Sequence, residues 1–168
     1  FNSNRGCGEL HIADGVLDNT LVGAAAVAGA GILWYSARGM QAEEVPKVGL
    51  LAAAFLVSSL LRIPVGLTSV HPVLLGLTGV LLGRRAPLAL FIGLALQAFL
   101  FQHGGLTTLG VNLLIMGIPA LLAGYLFSSR RLSSAAGGIL VGGSSVILAV
   151  AILVSFLAAS ATQYYTGT

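Results

Sequence analysis

Charged side chains are scarce in this sequence: Asp, Glu, Lys and Arg together make up 8% of its 168 residues. A soluble domain usually carries about 25% charged residues, because its surface must face water. Hydrophobic residues make up 57% of the chain instead, and its 23 glycines suit close helix contacts in a bilayer. The composition therefore predicts an integral membrane protein rather than a soluble domain.

Other absences narrow the class of protein further. Cys7 is the single cysteine, so no disulfide framework can form within the chain. The phosphate-binding sequence GxxxxGK[ST] is missing, and we expect the chain itself to bind no nucleotide. The sequences HExxH and GxSxG are missing too, as are paired carboxylates within the apolar runs, so nothing indicates an enzyme. The basic residues are scattered singly or in pairs, which argues against a nucleic-acid-binding patch.

Six apolar runs are separated by charged or polar segments. At about 20 residues per crossing, this pattern predicts an all-α integral membrane protein, a compact bundle of about six transmembrane helices. We divide the chain into an N-terminal extension, residues 1–10, and a single transmembrane domain, residues 11–168. The predicted spans are residues 21–35, 48–61, 72–83, 88–101, 109–127 and 139–159.

The basic residues between these runs predict an orientation. Six of them fall on one side of the predicted bundle, namely Arg38, Lys47, Arg84, Arg85, Arg130 and Arg131, whereas Arg5 and Arg62 fall on the other. Basic residues are enriched on the cytoplasmic side of membrane proteins. The pattern predicts a multi-pass protein of the cell inner (cytoplasmic) membrane, with both termini and the extension on the outer side.

All three histidines, His11, His71 and His103, fall on that predicted outer side. Imidazoles gathered at one membrane face suggest a transition-metal site, because neutral imidazole suits nickel, cobalt, copper and zinc. Alternatively, each histidine caps a helix end or bonds to a loop carbonyl. Asp14 either binds metal or orients His11 as a hydrogen-bond acceptor, or it forms a turn with Gly15 or an N-cap. The residues alone leave these alternatives open.

Three further residues stand within or beside the predicted spans. Gln97 and Asn112 are polar, and we interpret them as groups that form hydrogen bonds between helices. Met116 is interpreted as a packing residue rather than a thioether ligand. Cys7 could be a ligand, a lipid-attachment site or inert, and the sequence does not choose between these roles.

Three segments carry a family resemblance. HIADGVL (residues 11–17), SVHPVLLGLTGVLLG (69–83) and QAFLFQHGGLTTLGVNLLIMG (97–117) occur in that order. They resemble segments of the nickel/cobalt-specific substrate-binding membrane component of energy-coupling-factor transporters, the cobalt transport family of cobalamin biosynthesis. The HGGLTTLG block is the most specific of the three matches.

The resemblance implies a subunit that captures a nickel or cobalt ion as its substrate and delivers it to an ATP-driven partner complex. Those partners would be other membrane subunits and ATP-binding subunits of a transporter. By position, the resemblance implies His11 and His71 as metal ligands, with Asp14, His103 and Asn112 in supporting roles. Square-planar nitrogen ligation suits Ni(II).

Two departures from the family pattern support an alternative. Family members begin Met-His and use the free amine as a ligand, whereas Leu10 precedes His11 here. The chain is also expected to be shorter than the family at its C-terminus. The alternative is a non-transporting, family-derived subunit that scaffolds a larger membrane complex, or holds a metal or haem in it. Small residues in the stretch 137–145 would then contact a partner helix.

Overall fold

A computed structural model describes residues 12, 15, 17–60, 63–65, 68–70, 74–101, 105–129 and 135–166. The helices are α1 Asn19–Ala37, α2 Val45–Leu60, α3 Leu75–Leu82, α4 Ala86–Phe101, α5 Leu109–Ser129 and α6 Ala135–Thr166. Two short antiparallel strands, β1 Ile63–Val65 and β2 Thr68–Val70, connect α2 to α3. Single 3-10 turns, Ala42–Glu44 and Gly83–Arg85, precede α2 and α4. The predicted helical membrane bundle is confirmed, with this one small hairpin added.

Among the described residues, four helical segments have the length and apolar composition of a bilayer crossing: Asn19–Ala37, Leu75–Phe101, Leu109–Ser128 and Gly137–Ala161. The second of these consists of two helices, α3 and α4, joined by a turn, and is not one straight helix. Helix α2 has 16 residues and is therefore shorter than a full crossing of about 20 residues. Helix α3 has 8 residues, shorter than the predicted span 72–83, and is only about 12 Å long.

The chain reverses direction between α3 and α4. Gly79 of α3 lies against Ala120 of α5, and Gly83 lies against Gly124, so α3 runs parallel to α5. The first residues of α4 lie near Gly117, in the middle of α5. The last residue of α4 is separated from the start of α5 by only seven residues, 102–108, so α4 runs antiparallel to α5. Gly83 stands at the reversal with φ +53°, a conformation that favours glycine. Helix α3 is therefore a short half-helix inside the bundle.

Helix α5 is the centre of the fold, since it contacts α1, α3, α4 and α6. Residues 111–117 of α5 are all buried, and Met116 is fully enclosed in the main hydrophobic cluster, as its interpretation as a packing residue requires. Helix α2 packs on α4 instead, where the Phe55 ring lies against Gly93. The bundle thus surrounds one helix whose starting turn, near residue 109, carries polar side chains.

Glycines let α3 approach its neighbours backbone to backbone. A Cβ on Gly79 would collide with the main chain of Ala120, and a Cβ on Gly76 would stand 2.5 Å from the Cα of Gly142 in α6. The same Cβ would be 3.1 Å from the Ser145 hydroxyl. Gly142 and Ser145 belong to the small-residue stretch considered above for a partner helix. This part of the stretch packs within the chain.

One end of the bundle, here named the basic end, collects Ser36, Arg38, Glu44, Arg84 and Arg85. The Arg85 side chain is 4% exposed, and its guanidinium uses all five of its N–H donors. Nε donates to Glu44 Oε1 (3.0 Å) and Nη2 to Glu44 Oε2 (2.8 Å) and the Gly39 carbonyl (2.7 Å). Nη1 donates to the carbonyls of Arg38 (2.9 Å) and Ser36. Arg85 thereby donates to carbonyls that have no helical partner at the end of α1. It also links α1 and the turn before α2 to the start of α4.

The ion pair also affects the acidity of Glu44, which lies outside the apolar helices. The hydrogen bond from Arg85, helped by one from the Gln41 backbone, lowers the pKa of Glu44 to about 2. The prediction that Arg38, Arg84 and Arg85 lie on one side of the bundle is consistent with these contacts. The opposite end, where α1 and α5 begin and α4 finishes, is named the Ile12 end.

Candidate metal centre

The main chain of Ile12 is bound to the first turn of α5. The Asn112 amide pairs with both polar groups of Ile12: Oδ1 accepts from the Ile12 N–H (2.7 Å), and Nδ2 donates to the Ile12 carbonyl (3.1 Å). The Thr108 hydroxyl donates to the same carbonyl (2.7 Å). Ile12, Thr108 and Asn112 are all buried. Because hydrogen bonds are stronger away from water, this contact fixes the backbone at Ile12.

The spacing of Thr108 and Asn112 explains why they act together. Residues four apart lie on one face of a helix, and the Asn112 N–H bonds to the Thr108 carbonyl (2.9 Å), which places both in the first turn of α5. The Thr108 hydroxyl also lies 3.3 Å from the Gly105 carbonyl. Gly105 and Thr108 both belong to the HGGLTTLG block. Part of that block therefore binds the main chain of the N-terminal segment at Ile12.

After Ile12 the chain turns and enters α1. Gly15 has φ +80°, and Leu17 is buried in the same hydrophobic cluster as Ile12. Asp18 caps α1, with its Oδ2 accepting from the Thr20 N–H (2.8 Å), and the hydrogen bonds from Thr20 lower the Asp18 pKa. A turn at Gly15 agrees with the interpretation of the Asp14-Gly15 pair. The segment leading into α1 is thus held by hydrogen bonds at Ile12 and by apolar packing at Leu17.

The predicted site residues divide into two groups. His11, Asp14, His71 and His103 lie outside the described residues, so their roles stay predictions. Asn112 lies within them, and its partner is the main chain of the N-terminal segment, not a neighbouring helix as predicted. The physical reason is its position, because an amide in the first turn of α5 meets the incoming chain before it meets another helix.

Thr108 was not identified from the sequence. Its signal was its spacing of four residues from Asn112 at a helix start, within the specific HGGLTTLG block. Threonine is common at such positions, where it simply caps the helix, so the spacing alone did not indicate a contact with Ile12.

Gln97 is the other buried amide of interest. It lies in the second half of α4, towards the Ile12 end, and its side chain is 2% exposed. Its Oε1 has no hydrogen-bond partner in the described part of the chain. An unpaired buried acceptor costs about 1–3 kcal/mol. The oxygen is therefore available to a donor at the Ile12 end.

Among the described residues, no group of three or more His, Cys, Asp or Glu side chains could hold a metal ion. The predicted ligands belong instead to segments directly bonded to described ones. His11 precedes Ile12, and His71 lies three residues before Leu74, which leads into α3. The described structure thus contains residues that neighbour the predicted ligands in the sequence, and not the ligands themselves.

Several known proteins resemble this chain in sequence. The family model described as the cobalt uptake substrate-specific transmembrane region, CbiM, matches residues 11–168. A Haemophilus influenzae protein named for metal transport is 40% identical over 121 residues, which cover 72% of this chain and 59% of the relative. An Archaeoglobus fulgidus protein named as a fused nickel transport protein, NikMN, is 32% identical over 83% of this chain and 49% of its own length. The chain thus spans about half the length of these relatives.

A solved structure also shares the fold. A truncated transition metal transporter superposes with a TM-score of 0.75, at 24% identity, over 88% of this chain and 73% of the other. At that identity the likeness concerns the fold alone. The family model, in contrast, covers the whole transmembrane domain, including the Ile12 contact and α5. The chain therefore belongs to the CbiM family of cobalt uptake substrate-specific transmembrane regions, which are components of metal transporters and not enzymes.

Proposed function

We propose that the chain captures a nickel or cobalt ion at the Ile12 end and delivers it to an ATP-driven partner complex. The observation that carries this proposal is the hold of Asn112 and Thr108 on the main chain of Ile12, directly after His11. In this proposal His11 and His71 supply nitrogen ligands, while Asp14, His103 and Asn112 support them. Relatives named for nickel and for cobalt transport give the two candidate metals.

Fixing the chain beside a ligand favours metal binding through preorganisation. Ordering one residue of a free segment costs about 1–2 kcal/mol, and a ligand on such a segment would incur that cost when the ion binds. The bonds to Ile12 are made within the folded protein, so the backbone next to His11 is ordered beforehand. Neutral imidazole nitrogens suit Ni(II) and Co(II).

The charges at the basic end support an orientation for this proposal. Arg38, Arg84 and Arg85 lie there, and basic residues favour the cytoplasmic side. The Ile12 end then faces outwards, where an ion would arrive. The energy would come from ATP-binding partner subunits, since this chain has no phosphate-binding sequence.

The scaffold alternative loses part of its support. That alternative placed small residues of α6 in contact with a partner helix, but Gly142 and Ser145 pack against Gly76 of α3. Metal capture is therefore better supported than the scaffold role.

The test is equilibrium binding of Ni²⁺ and Co²⁺ to the purified full chain. We expect stoichiometric binding that weakens at least about 100-fold in His11→Ala and in His71→Ala, because each removes a ligand. His103→Ala is the matched control, since it removes an imidazole predicted to lie outside the coordination sphere, and a smaller loss is expected. Wild-type protein that binds neither metal, or binding unchanged in both ligand variants, would contradict the proposal. A haem absorbance band would favour the alternative.

A further inference from the structure

Two adjacent arginines at the basic end have very different surroundings. Arg85 is buried and spends all five N–H donors on protein acceptors, as described above. Arg84 is exposed, and among the described residues only its Nη2 is engaged as a donor, to the carbonyl of Arg38. Its guanidinium carbon stands 5.8 Å from the centre of the Tyr35 ring. Arg84 is therefore an ordered cation with most of its donors free.

The free side of Arg84 borders a groove between α1 and α5. The groove has a volume of about 490 Å³, and its walls include Tyr35, Arg84, Leu121, Leu122, Tyr125 and Ser128. The arginine, the tyrosines and the serine make a polar rim, and the two leucines make an apolar wall. Such a surface is amphipathic and suits a ligand with a charged head and an apolar tail.

The aromatic residues around the groove mark a membrane interface. Trp34, Tyr35 and Tyr125 are 65%, 52% and 70% exposed. Exposed Trp and Tyr are typical of the headgroup level of a bilayer, where an apolar ring and a polar tip are both accommodated.

We propose that this groove is a binding site for an anionic phospholipid. Its phosphate accepts hydrogen bonds from Arg84, and an acyl chain lies along Leu121 and Leu122. The planar guanidinium fork matches phosphate in a bidentate geometry, and basic pockets between transmembrane helices recognise anionic headgroups. A free phosphate would make no contact with the apolar wall, so the ligand that we propose is a lipid. This site is separate from the candidate metal centre at the opposite end.

The test is native mass spectrometry of the full chain in detergent with phosphatidylglycerol or phosphatidylcholine added. We expect wild-type protein to retain phosphatidylglycerol preferentially, and Arg84→Gln to reduce its retention at least about tenfold, because the phosphate loses its direct, charge-assisted hydrogen bonds. Lys47→Gln is the matched control, because Lys47 is exposed in the first turn of α2, near the same end, and is not part of the groove wall. Retention should fall clearly less in that variant, by no more than about fivefold, because it removes only one basic residue near the membrane surface.

Three outcomes would overturn the proposal. These are equal retention of both lipids by wild-type protein, retention unchanged in Arg84→Gln, and equal losses in Arg84→Gln and Lys47→Gln, which would indicate general surface charge. Inorganic phosphate added in excess should not displace the lipid, since it cannot contact Leu121 and Leu122, and displacement would identify a simple anion site instead. Thermal unfolding of each variant shows whether the bundle is intact. Leu122→Ser keeps Arg84 but changes the apolar wall, so it should also weaken the retention of phosphatidylglycerol.

Discussion

The side-chain amide of Asn112 is paired with both main-chain polar groups of Ile12, a residue 100 positions earlier in the sequence. Oδ1 accepts from the nitrogen and Nδ2 donates to the carbonyl, as in one rung of a β-ladder. Thr108 adds a second donor to that carbonyl. The start of α5 therefore binds the main chain of this segment rather than a particular side chain. These bonds fix the main-chain nitrogen of Ile12, to which the preceding residue is attached.

Replacing Asn112 with leucine tests this contact. Asn112→Leu removes the partner of the buried Ile12 N–H, and a lost buried hydrogen bond costs about 1–3 kcal/mol. We expect a lower unfolding temperature and at least about tenfold weaker Ni²⁺ binding, because the segment carrying His11 is no longer fixed. Ser58→Ala is the control, since Ser58 is also buried but bonds within its own helix to Phe55. Nickel affinity equal to that of the wild type in Asn112→Leu would contradict the supporting role.

Lysine substitutions separate the two adjacent arginines. Arg85→Lys keeps the charge but loses the five-donor fork, so several carbonyls and Glu44 lose their partner. We expect destabilisation of about 1–3 kcal/mol, because carbonyls at the end of α1 are left without their hydrogen-bond donor. Arg84→Lys should change the unfolding free energy by less than about 1 kcal/mol, because Arg84 is exposed. Chemical unfolding of both variants in the same detergent provides the measurement, and equal effects would refute the distinction.

The Glu44–Arg85 pair predicts a dependence of stability on pH. The folded-state pKa of Glu44 is about 2, below its ordinary value of 4.5, so its contribution is complete above pH 4.5 and is lost as pH falls towards 2. We expect the unfolding temperature to decline over that interval, and to decline less in Glu44→Gln. Glu43→Gln is the control, because Glu43 is exposed and forms no ion pair with the described residues. A decline of the same size in Glu44→Gln would show that other groups cause it.

Alanine at the glycine contacts tests the packing of α3. Gly79→Ala places a Cβ against the main chain of Ala120, which cannot move like a flexible side chain, and we expect a loss of about 1–3 kcal/mol. Gly143 of α6 has nothing within 4 Å of an added Cβ, so Gly143→Ala should be neutral or stabilise the helix by about 0.5–1 kcal/mol. Thermal unfolding compares the two, and an equal response would show that the contact is not tight.

Much of the fold could be predicted because most helices are apolar runs bounded by charged or polar residues. The boundaries at Arg38 and at Arg84 and Arg85 follow from this, and so does the gathering of these residues at one end. The shortness of α3 could not be predicted, since its start at Leu75 lies within an apolar run with no polar signal. The β1–β2 hairpin lies between the predicted spans 48–61 and 72–83 and could not be predicted, because three-residue strands carry too little pattern.

The candidate site was predictable in part. The HGGLTTLG block indicated the right region of α5, but its contact with Ile12 depends on chain segments far apart in sequence. Arg84 and Arg85 are identical in type and adjacent, so no local pattern distinguishes the buried residue from the exposed one. Their roles depend on which of the two faces the end of α1, and only the tertiary structure determines that.

The backbone contact between Gly79 and Ala120 has a consequence for motion. Side chains at most helix interfaces can change rotamer and let one helix slide, but here two main chains touch and no side chain lies between them. Helices α3 and α5 should therefore behave as one rigid body on the timescale of ion capture. Any rearrangement that accompanies an arriving ion is expected outside this pair of helices.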